Sequence, residues 1–402
     1  MKKRFNILTL CVAVLLSVVA TFQMTYVFCA RRQLVSADGE LSYNSDKLAY
    51  VDEIYRKYFV GEIDGEELTD ILIRAYMSGV GERFGGYMNA EEYAARMNSV
   101  QGEMVGIGVN VYYPADAEYI QVIAVMDDSP AQEAGMLPGD YIYAVDGVSA
   151  TELGYDGVLA AVAGEEGTTV TVTVLRDGDE TVDLVATRRK IEAQSVYSHM
   201  LNDGVTGLIR ITSFNTNTPD QFTDAVGKLT AMGMTRVVFD LRGNPGGELN
   251  SVSSILDYIL PEGDIIIATD RDGNETVLTE SDENELDIPM ATLVDGGSAS
   301  ASELFAGCFR DYEKGPLIGG TTYGKGSMQT IIPLPDGSGV SVTYRKFTSP
   351  SGQVHDGVGI TPDIEVTLPE ELTNTSIFLL TEEQDTVLGE AIKYFNGESA
   401  DN

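Results

Sequence analysis

At 402 residues the chain is longer than one ordinary hydrophobic core supports, so two or three domains are expected. Its 43% hydrophobic and 22% charged residues are those of a globular protein, while a net charge of −36 argues against nucleic acid and anionic lipid as partners, because phosphate binding needs a basic face. The cysteines are Cys11, Cys29 and Cys308, without a CxxC pair, and the histidines are His199 and His355; this excludes a Cys/His zinc site, and no metal or cofactor is expected.

Lys2, Lys3 and Arg4 precede a charge-free run from Ile7 to Ala30. A helix crossing a bilayer core needs about 20 apolar residues. A cleavable signal has a shorter run, about 7–15 residues, and small residues before the cut. Phe28 in "VFCA" stands where a small residue is preferred. An uncleaved, single-pass membrane anchor is therefore expected over residues 1–32. Lys2, Lys3 and Arg4 outweigh Arg31 and Arg32, which places the bulk of the chain on the extracytoplasmic side.

Residues 33–46 are polar, carry Gly39 and read as a linker. From Lys47 to Met97 the pattern is helical, with Leu48, Val51, Ile54, Tyr55 and Phe59 near one face. "DGEELTDILIRAYMSGV" repeats it and stops at glycines. From about Gln101 to Lys190 the chain reads as short strands: "EYIQVIAVM", then two strands in "TTVTVTVLRDGDETVDLVATR" around an Asp-Gly turn. Between them, Pro130 opens a short helix that Gly135 ends, and "LPGD" turns into another strand.

From Ser195 onward strands alternate with helices. "VTGLIRI", "TRVVFDLRG" and "IPMATLVD" read as strands. "TPDQFTDAVGKLTAMG", "ELNSVSSILDYIL" and "SELFAGCFRDY" read as helices, the first with Thr218 as N-cap and Pro219 at its first position. This rhythm predicts an α/β core whose strands are buried on both faces. Ligands in such cores sit at the carboxyl ends of strands. Two of those ends are glycine-rich, "DLRGNPGG" and "VDGGSAS".

Ser300 stands at the start of a helix marked by Ala301, Leu304, Phe305, Cys308 and Phe309. With Glu303 three residues on, it fits a capping box, and on this stretch alone the cap is the better reading than a catalytic role. The same geometry puts free backbone N–H groups, that of Ala301 above all, beside a serine hydroxyl, where they could stabilise an oxyanion. A serine nucleophile needs a base. His199 reads as part of a polar turn and His355 as an exposed loop, so neither is well placed. Lys325, between Gly324 and Gly326, could be carried inward by a close-packed backbone; burial would lower its pKa and let it act as a neutral base. On a strand, Lys325 and Gln329 would be about 13 Å apart, too far to touch. Contact between them therefore predicts a helical turn before "TIIPL". In "LRGNPGG", Gly246 or Gly247 could present a second N–H to the same oxyanion, and Arg242 reads as a structural anchor.

Taken together, "LRGNPGG", "GSASASE", "GKGSMQ" and "SPSGQVHDGVGITPDIEV" resemble the carboxy-terminal processing peptidases, also called tail-specific proteases. The resemblance runs from about Lys47 to the C-terminus. "GIGV" and "DSPAQEAGMLPGDYIYAVDG" are similar to that family's PDZ domain. It implies an α/β fold: a crotonase/ClpP-like protease core over residues 191–368 with an inserted PDZ domain over 99–190. An N-terminal helical segment (47–98) would precede it, and a helical tail (369–402) would pack on the core. It implies a Ser/Lys dyad with Ser300 as nucleophile, Lys325 as base and Gln329 as support. The oxyanion donors fall on the backbone of Ala301 and Gly246, and Ser298 and Ser302 become scaffold. Gly106, Ile107, Gly108 and Val109 would form the loop that binds a C-terminal carboxylate, with the peptide added to the sheet edge.

Three departures stand out: Asp295 where the family often has Asn, Ala163-Gly164 in place of an Arg-Gly pair, and "GVGERFGGYM" in place of an Asp-Pro-Tyr-Ser pattern. The reading that results is a membrane-anchored serine endopeptidase acting on proteins with apolar C-terminal tails. Its competitors are a PDZ scaffold on an inert protease core and a related hydrolase or isomerase acting on thioesters. The amphipathic segments around Leu48–Phe59 and "VLGEAIKYF" could serve homodimer contacts or pack on their own core, and a regulatory protein partner is compatible with the sequence.

Overall fold

The computed structural model describes residues 40–113, 119–176, 180–353, 355–373 and 375–398. The anchor expected over 1–32 lies outside them; among the described residues no helix is long and apolar enough to cross a membrane. The chain divides into two compact units, one ending at Ile73 and the other beginning at Arg74. The first holds helix α1 (Glu40–Tyr58) and most of α2 (Gly65–Val80). Residues 40–46, expected as linker, are thus already helical. Leu48, Val51, Ile54 and Tyr55 lie on α1 at the predicted spacing, with Phe59 just past its end, yet all remain exposed.

In the second unit, β1 (Gly86–Met88), α3 (Ala90–Gln101) and β2 (Glu103–Gly106) lead into a small antiparallel sheet. Its strands are β3 (Val109–Tyr112), β4 (Ile120–Val125), β5 (Tyr141–Val145), β6 (Val148–Ser149), β7 (Thr169–Arg176) and β8 (Glu180–Thr187). The order is β3-β4-β5-β7-β8, with β6 on β5. Alternation decides its buried face: Val170, Val172 and Val174 point inward to meet Ile120, Val122 and Ile142. Two helices cover that face. In α4 (Pro130–Glu133) the Ser129 hydroxyl accepts from Gln132 N–H, and Gly135 follows at φ 85°; α5 runs Ala150–Val162. Arg188 closes the end of α5 by donating to the carbonyls of Ala161 and Val162. Strand β9 (Arg189–Glu192) pairs with β2 and returns the chain.

The larger sheet comprises β10 (Val196–Met200), β11 (Thr206–Ile211), β12 (Arg236–Asp240), β15 (Met290–Val294), β16 (Leu317–Gly319) and β19 (Ile364–Glu365), in that order. All pairs but β10–β11 are parallel. One face, with Ile209, Val237 and Phe239, packs on α6 (Thr218–Ala231), α7 (Leu249–Ile259) and α8 (Ala301–Asp311). The other, with Leu208, Val238 and Leu293, is covered by Val387, Leu388 and Ala391 of α9 (Thr386–Phe395), so the "VLGEAIKYF" helix packs on its own core. A second sheet, β1-β18-β13-β14 with β17 on β18, uses β13 (Gly263–Thr269), β14 (Glu275–Ser281), β17 (Ser327–Pro333) and β18 (Gly339–Thr348).

Four local expectations change. The N-cap of α6 is Asn217, one residue earlier than Thr218, whose hydroxyl instead accepts from Asn215 N–H. His199 lies within β10. His355 is buried at 3% exposure. The helical turn predicted between Lys325 and Gln329 is absent: β17 starts at Ser327, because its backbone groups pair with β18.

Candidate active site

The carboxyl ends of β12 and β15 bring the two glycine-rich corners together, as a parallel sheet dictates. After β15 the chain turns sharply, and Ser300 sits at φ 56° and ψ −113°, a conformation that L-residues rarely hold without surrounding support. The three serines are not equivalent. Ser298 is fully buried, its hydroxyl donating to the Leu241 carbonyl at 2.8 Å; Ser302 is fully buried and donates to the Asn244 carbonyl at 2.9 Å. Ser300 alone reaches the surface, at 9% exposure. The capping box is present in its carboxylate arm, Ser300 N–H donating to Glu303 Oε2 at 2.9 Å. The first intrahelical bond of α8 runs from Leu304 N–H to the Ser300 carbonyl, which leaves Ala301 N–H outside the helical ladder.

Glu303 does more than cap. It is fully buried, and its second set of donors comes from the lysine loop: Lys325 N–H to Oε2 at 2.7 Å, Gly324 N–H to Oε1 at 2.7 Å and the Thr322 hydroxyl to Oε1 at 2.6 Å. One carboxylate oxygen therefore holds the amides of both Ser300 and Lys325. From the sequence Glu303 reads as a cap alone, and Thr322 carries no signal. The usable signal was an acidic side chain three residues beyond the candidate nucleophile, since a buried carboxylate must find donors.

Lys325 is half-buried, and burial, reinforced by the nearby Arg96 charge, lowers its pKa below the ordinary lysine value against the opposing pull of Glu303. Its Nζ lies 5.1 Å from the centre of the Phe84 ring and makes no hydrogen bond or ion pair among the described residues. Gln329 is not brought to Lys325. Its amide nitrogen donates to Ser327 Oγ at 2.9 Å and Thr343 Oγ1 at 3.2 Å. The His355 ring lies beside Gly307 of α8, its buried Nε2 without a hydrogen-bond partner among the described residues, while the turn after it donates from Gly357 N–H to the Gly324 carbonyl at 2.9 Å.

The "LRGNPGG" corner is fixed by charge. Asp240 and Asp385 both receive the Arg242 guanidinium in paired bonds of 2.7–2.9 Å, and Arg210 adds a third contact to Asp240. These cations hold the Asp240 carboxyl well below the usual range. Arg242 is thus the anchor its position suggested, and Asp385 ties it to the start of α9. Gly246, at φ 97°, lies so near the serine corner that a Cβ there would come within 2.9 Å of both Ala301 N and Ser300 Cβ. Its N–H, however, donates to Asn244 Oδ1 at 2.8 Å, so the amide expected to meet an oxyanion is already engaged. Asp295 accepts from Gly243 and Gly297 N–H, both at 2.9 Å, bonds an asparagine carbonyl could equally make.

In the smaller sheet, Gly106 ends β2 and Val109 begins β3, with Ile107 buried between them. The carbonyls of Ile107 and Gly108 accept from Ala131 and Met126 N–H. A Cβ on Gly108, at φ 81°, would lie 2.4 Å from Ser129 Cβ, so only glycine lets the loop dock on α4. Tyr113, just past β3, stacks on Tyr155 of α5 at 6.1 Å. A cleft of about 660 Å³ lies between this end of β3 and the carboxyl ends of β15 and β16, lined among others by Tyr112, Tyr113, Asp295, Gly296, Gly319 and Gly320; neither Ser300 nor Lys325 lines it.

Comparison with known proteins agrees with this architecture. Residues 205–366 match the family model "Peptidase family S41", and residues 121–176 match "PDZ domain". The "Carboxyl-terminal-processing protease" of Synechocystis sp. is 30% identical, over 80% of this chain and 78% of that protein. The "Probable CtpA-like serine protease" of Staphylococcus aureus (strain COL) is 30% identical, over 92% of this chain and 74% of that one. A solved structure assigned to S41 proteases, from Bacteroides fragilis, shares the fold at a TM-score of 0.55 and 16% identity, covering 81% of this chain and 90% of that one. The chain therefore belongs to peptidase family S41, and it is a serine peptidase that carries a PDZ domain.

Proposed function

We propose that this peptidase is a membrane-anchored, extracytoplasmic endopeptidase that captures the apolar C-terminal tail of a protein in its PDZ groove and cuts upstream with a Ser300/Lys325 dyad. The observation that carries the dyad is the single Glu303 oxygen shared by the Ser300 and Lys325 amides. In this mechanism neutral Lys325 Nζ takes the proton from Ser300 Oγ as it attacks the scissile carbonyl. The Ala301 N–H stabilises the oxyanion, and the Gly246 N–H joins it once it has left Asn244 Oδ1. Lys325 then passes the proton to the leaving amine, and water releases the acyl group from Ser300. Lys325 must first leave Phe84, and Gln329 must turn from Thr343 to support it. A positively charged lysine cannot accept the proton, so activity rises with pH through the Lys325 pKa.

The Gly106–Val109 loop would receive the terminal carboxylate, with the peptide added to the sheet edge. The anchor and its orientation rest on the charge-free run Ile7–Ala30 and on Lys2, Lys3 and Arg4. A second copy packing on the exposed apolar face of α1 completes the proposal; sedimentation of the full chain in detergent, with Val51→Glu as control, tests it.

The defining experiment incubates the full chain with an unstructured polypeptide ending in apolar residues. Wild type is expected to cleave it, Ser300→Ala and Lys325→Ala to fall at least about a thousandfold, and a polypeptide with an amidated terminus to be cut poorly. Binding without cleavage would favour the PDZ scaffold; undiminished cleavage by both variants would refute the dyad.

A further inference from the structure

Both side chains that should assist Ser300 are held elsewhere and both connect to one turn, Lys325 directly and Gln329 through Thr343, beside its bond to Ser327 Oγ. Phe84 lies under the Lys325 ammonium at 5.1 Å. Two residues earlier, Glu82 Oε1 accepts from Phe84 N–H at 3.1 Å and Gly85 N–H at 3.2 Å, which fixes the backbone that carries the ring. The same oxygen accepts from the Thr343 hydroxyl at 3.0 Å, and Thr343 Oγ1 in turn accepts from Gln329 Nε2 at 3.2 Å. A hydroxyl can donate and accept at once, so the relay is complete in polarity. Beyond the turn, β1 pairs with β18, the strand that carries Thr343, which makes the turn part of the second sheet.

We propose that the Glu82–Gly85 turn is a positioning element for the dyad: it parks Lys325 on Phe84 and Gln329 on Thr343, and cleavage requires its release. The proposal rests on the Ser300/Lys325 reading. The parking place suits a contact that must open. Arg83 shares the Phe84 ring at 4.9 Å, and Arg96 repels Lys325, so the ammonium is among like charges and is held by little beyond the ring face. Substrate that draws the strand β17 toward the serine corner would break both contacts together, because both end on the same carboxylate turn.

The test compares wild type, Phe84→Leu, Thr343→Val and the double variant, in the full chain, for kcat/KM on an unstructured polypeptide with an apolar terminus. Phe84→Leu keeps the apolar volume and removes the aromatic face. Thr343→Val keeps the shape and cuts the relay. Each is expected to raise kcat/KM about fivefold, which corresponds to about 1 kcal/mol, with KM little changed and the double variant below the product of the two. Lys325 methyl-labelled by reductive methylation should lose its ring-current shift in Phe84→Leu. A fall or no change in kcat/KM for Phe84→Leu, with unaltered thermal stability, overturns the proposal; should that variant melt early, the Thr343→Val result decides in the same way. Adding Ser300→Ala separates the two claims: cleavage that survives it refutes the dyad, whereas cleavage that vanishes in it but is not raised by the single variants refutes the latch alone. If neither wild type nor the released variants cleave, both fall.

Discussion

Glu303 is the residue on which the candidate site turns, since four donors from two segments converge on its buried carboxylate. Glu303→Gln puts an NH2 group among N–H donors. It should lower kcat at least about tenfold and destabilise the fold by about 2 kcal/mol, read by steady-state kinetics and a denaturant titration. The two histidines give a second outcome at this scale. Burial lowers the pKa of His199 and of His355. The unfolded chain takes up these protons near pH 6.5, so stability is lost as pH falls below about 6.5. Asp203 and Asp240 are held low instead, so their contribution persists down to about pH 4. Melting curves between pH 7 and 5 should therefore shift less in His355→Asn than in wild type. Ser300 was legible because helical spacing, a capping residue and glycine corners are local features. The role of Glu303 was not, because its partners Thr322, Gly324 and Lys325 lie far along the chain.

At the scale of elements, the serine corner depends on a loop that contributes no side chain to it. Gly246→Ala would put a methyl group 2.6 Å from the Ala299 carbonyl at a φ that alanine resists. Activity should drop about 100-fold while the far-ultraviolet spectrum stays native. Asp385→Ala leaves Arg242 half-paired in the core and should cost about 3 kcal/mol, measured by the urea midpoint, because it unfastens α9 from the "LRGNPGG" corner. The strands and helices of the larger sheet were readable from their periodicity, as was the α4 turn at Pro130. The stretch after Lys325 was not. A helical turn would have joined Lys325 to Gln329, but the ladder to β18, with Gln329 opposite Thr343, sets the backbone there. Pairing with a distant strand overrides a local spacing argument.

For the whole molecule, the order of motifs was enough to place a PDZ domain ahead of an α/β protease core, and the family match agrees. The second sheet was not foreseen, since β13, β14, β17 and β18 are held by contacts that no single segment announces. Nor does the sequence disclose that Lys325 faces Phe84. In the proposed mechanism Ser300 is acylated with Lys325 as its base. Rapid quenching of the full chain with an unstructured polypeptide, followed by mass spectrometry of the digested enzyme, reads this directly. An acyl adduct is expected on the peptide that carries Ser300, lost in Ser300→Ala and formed far more slowly in Lys325→Ala. Turnover of the polypeptide with no adduct under any quench, or an adduct on another residue, would contradict it.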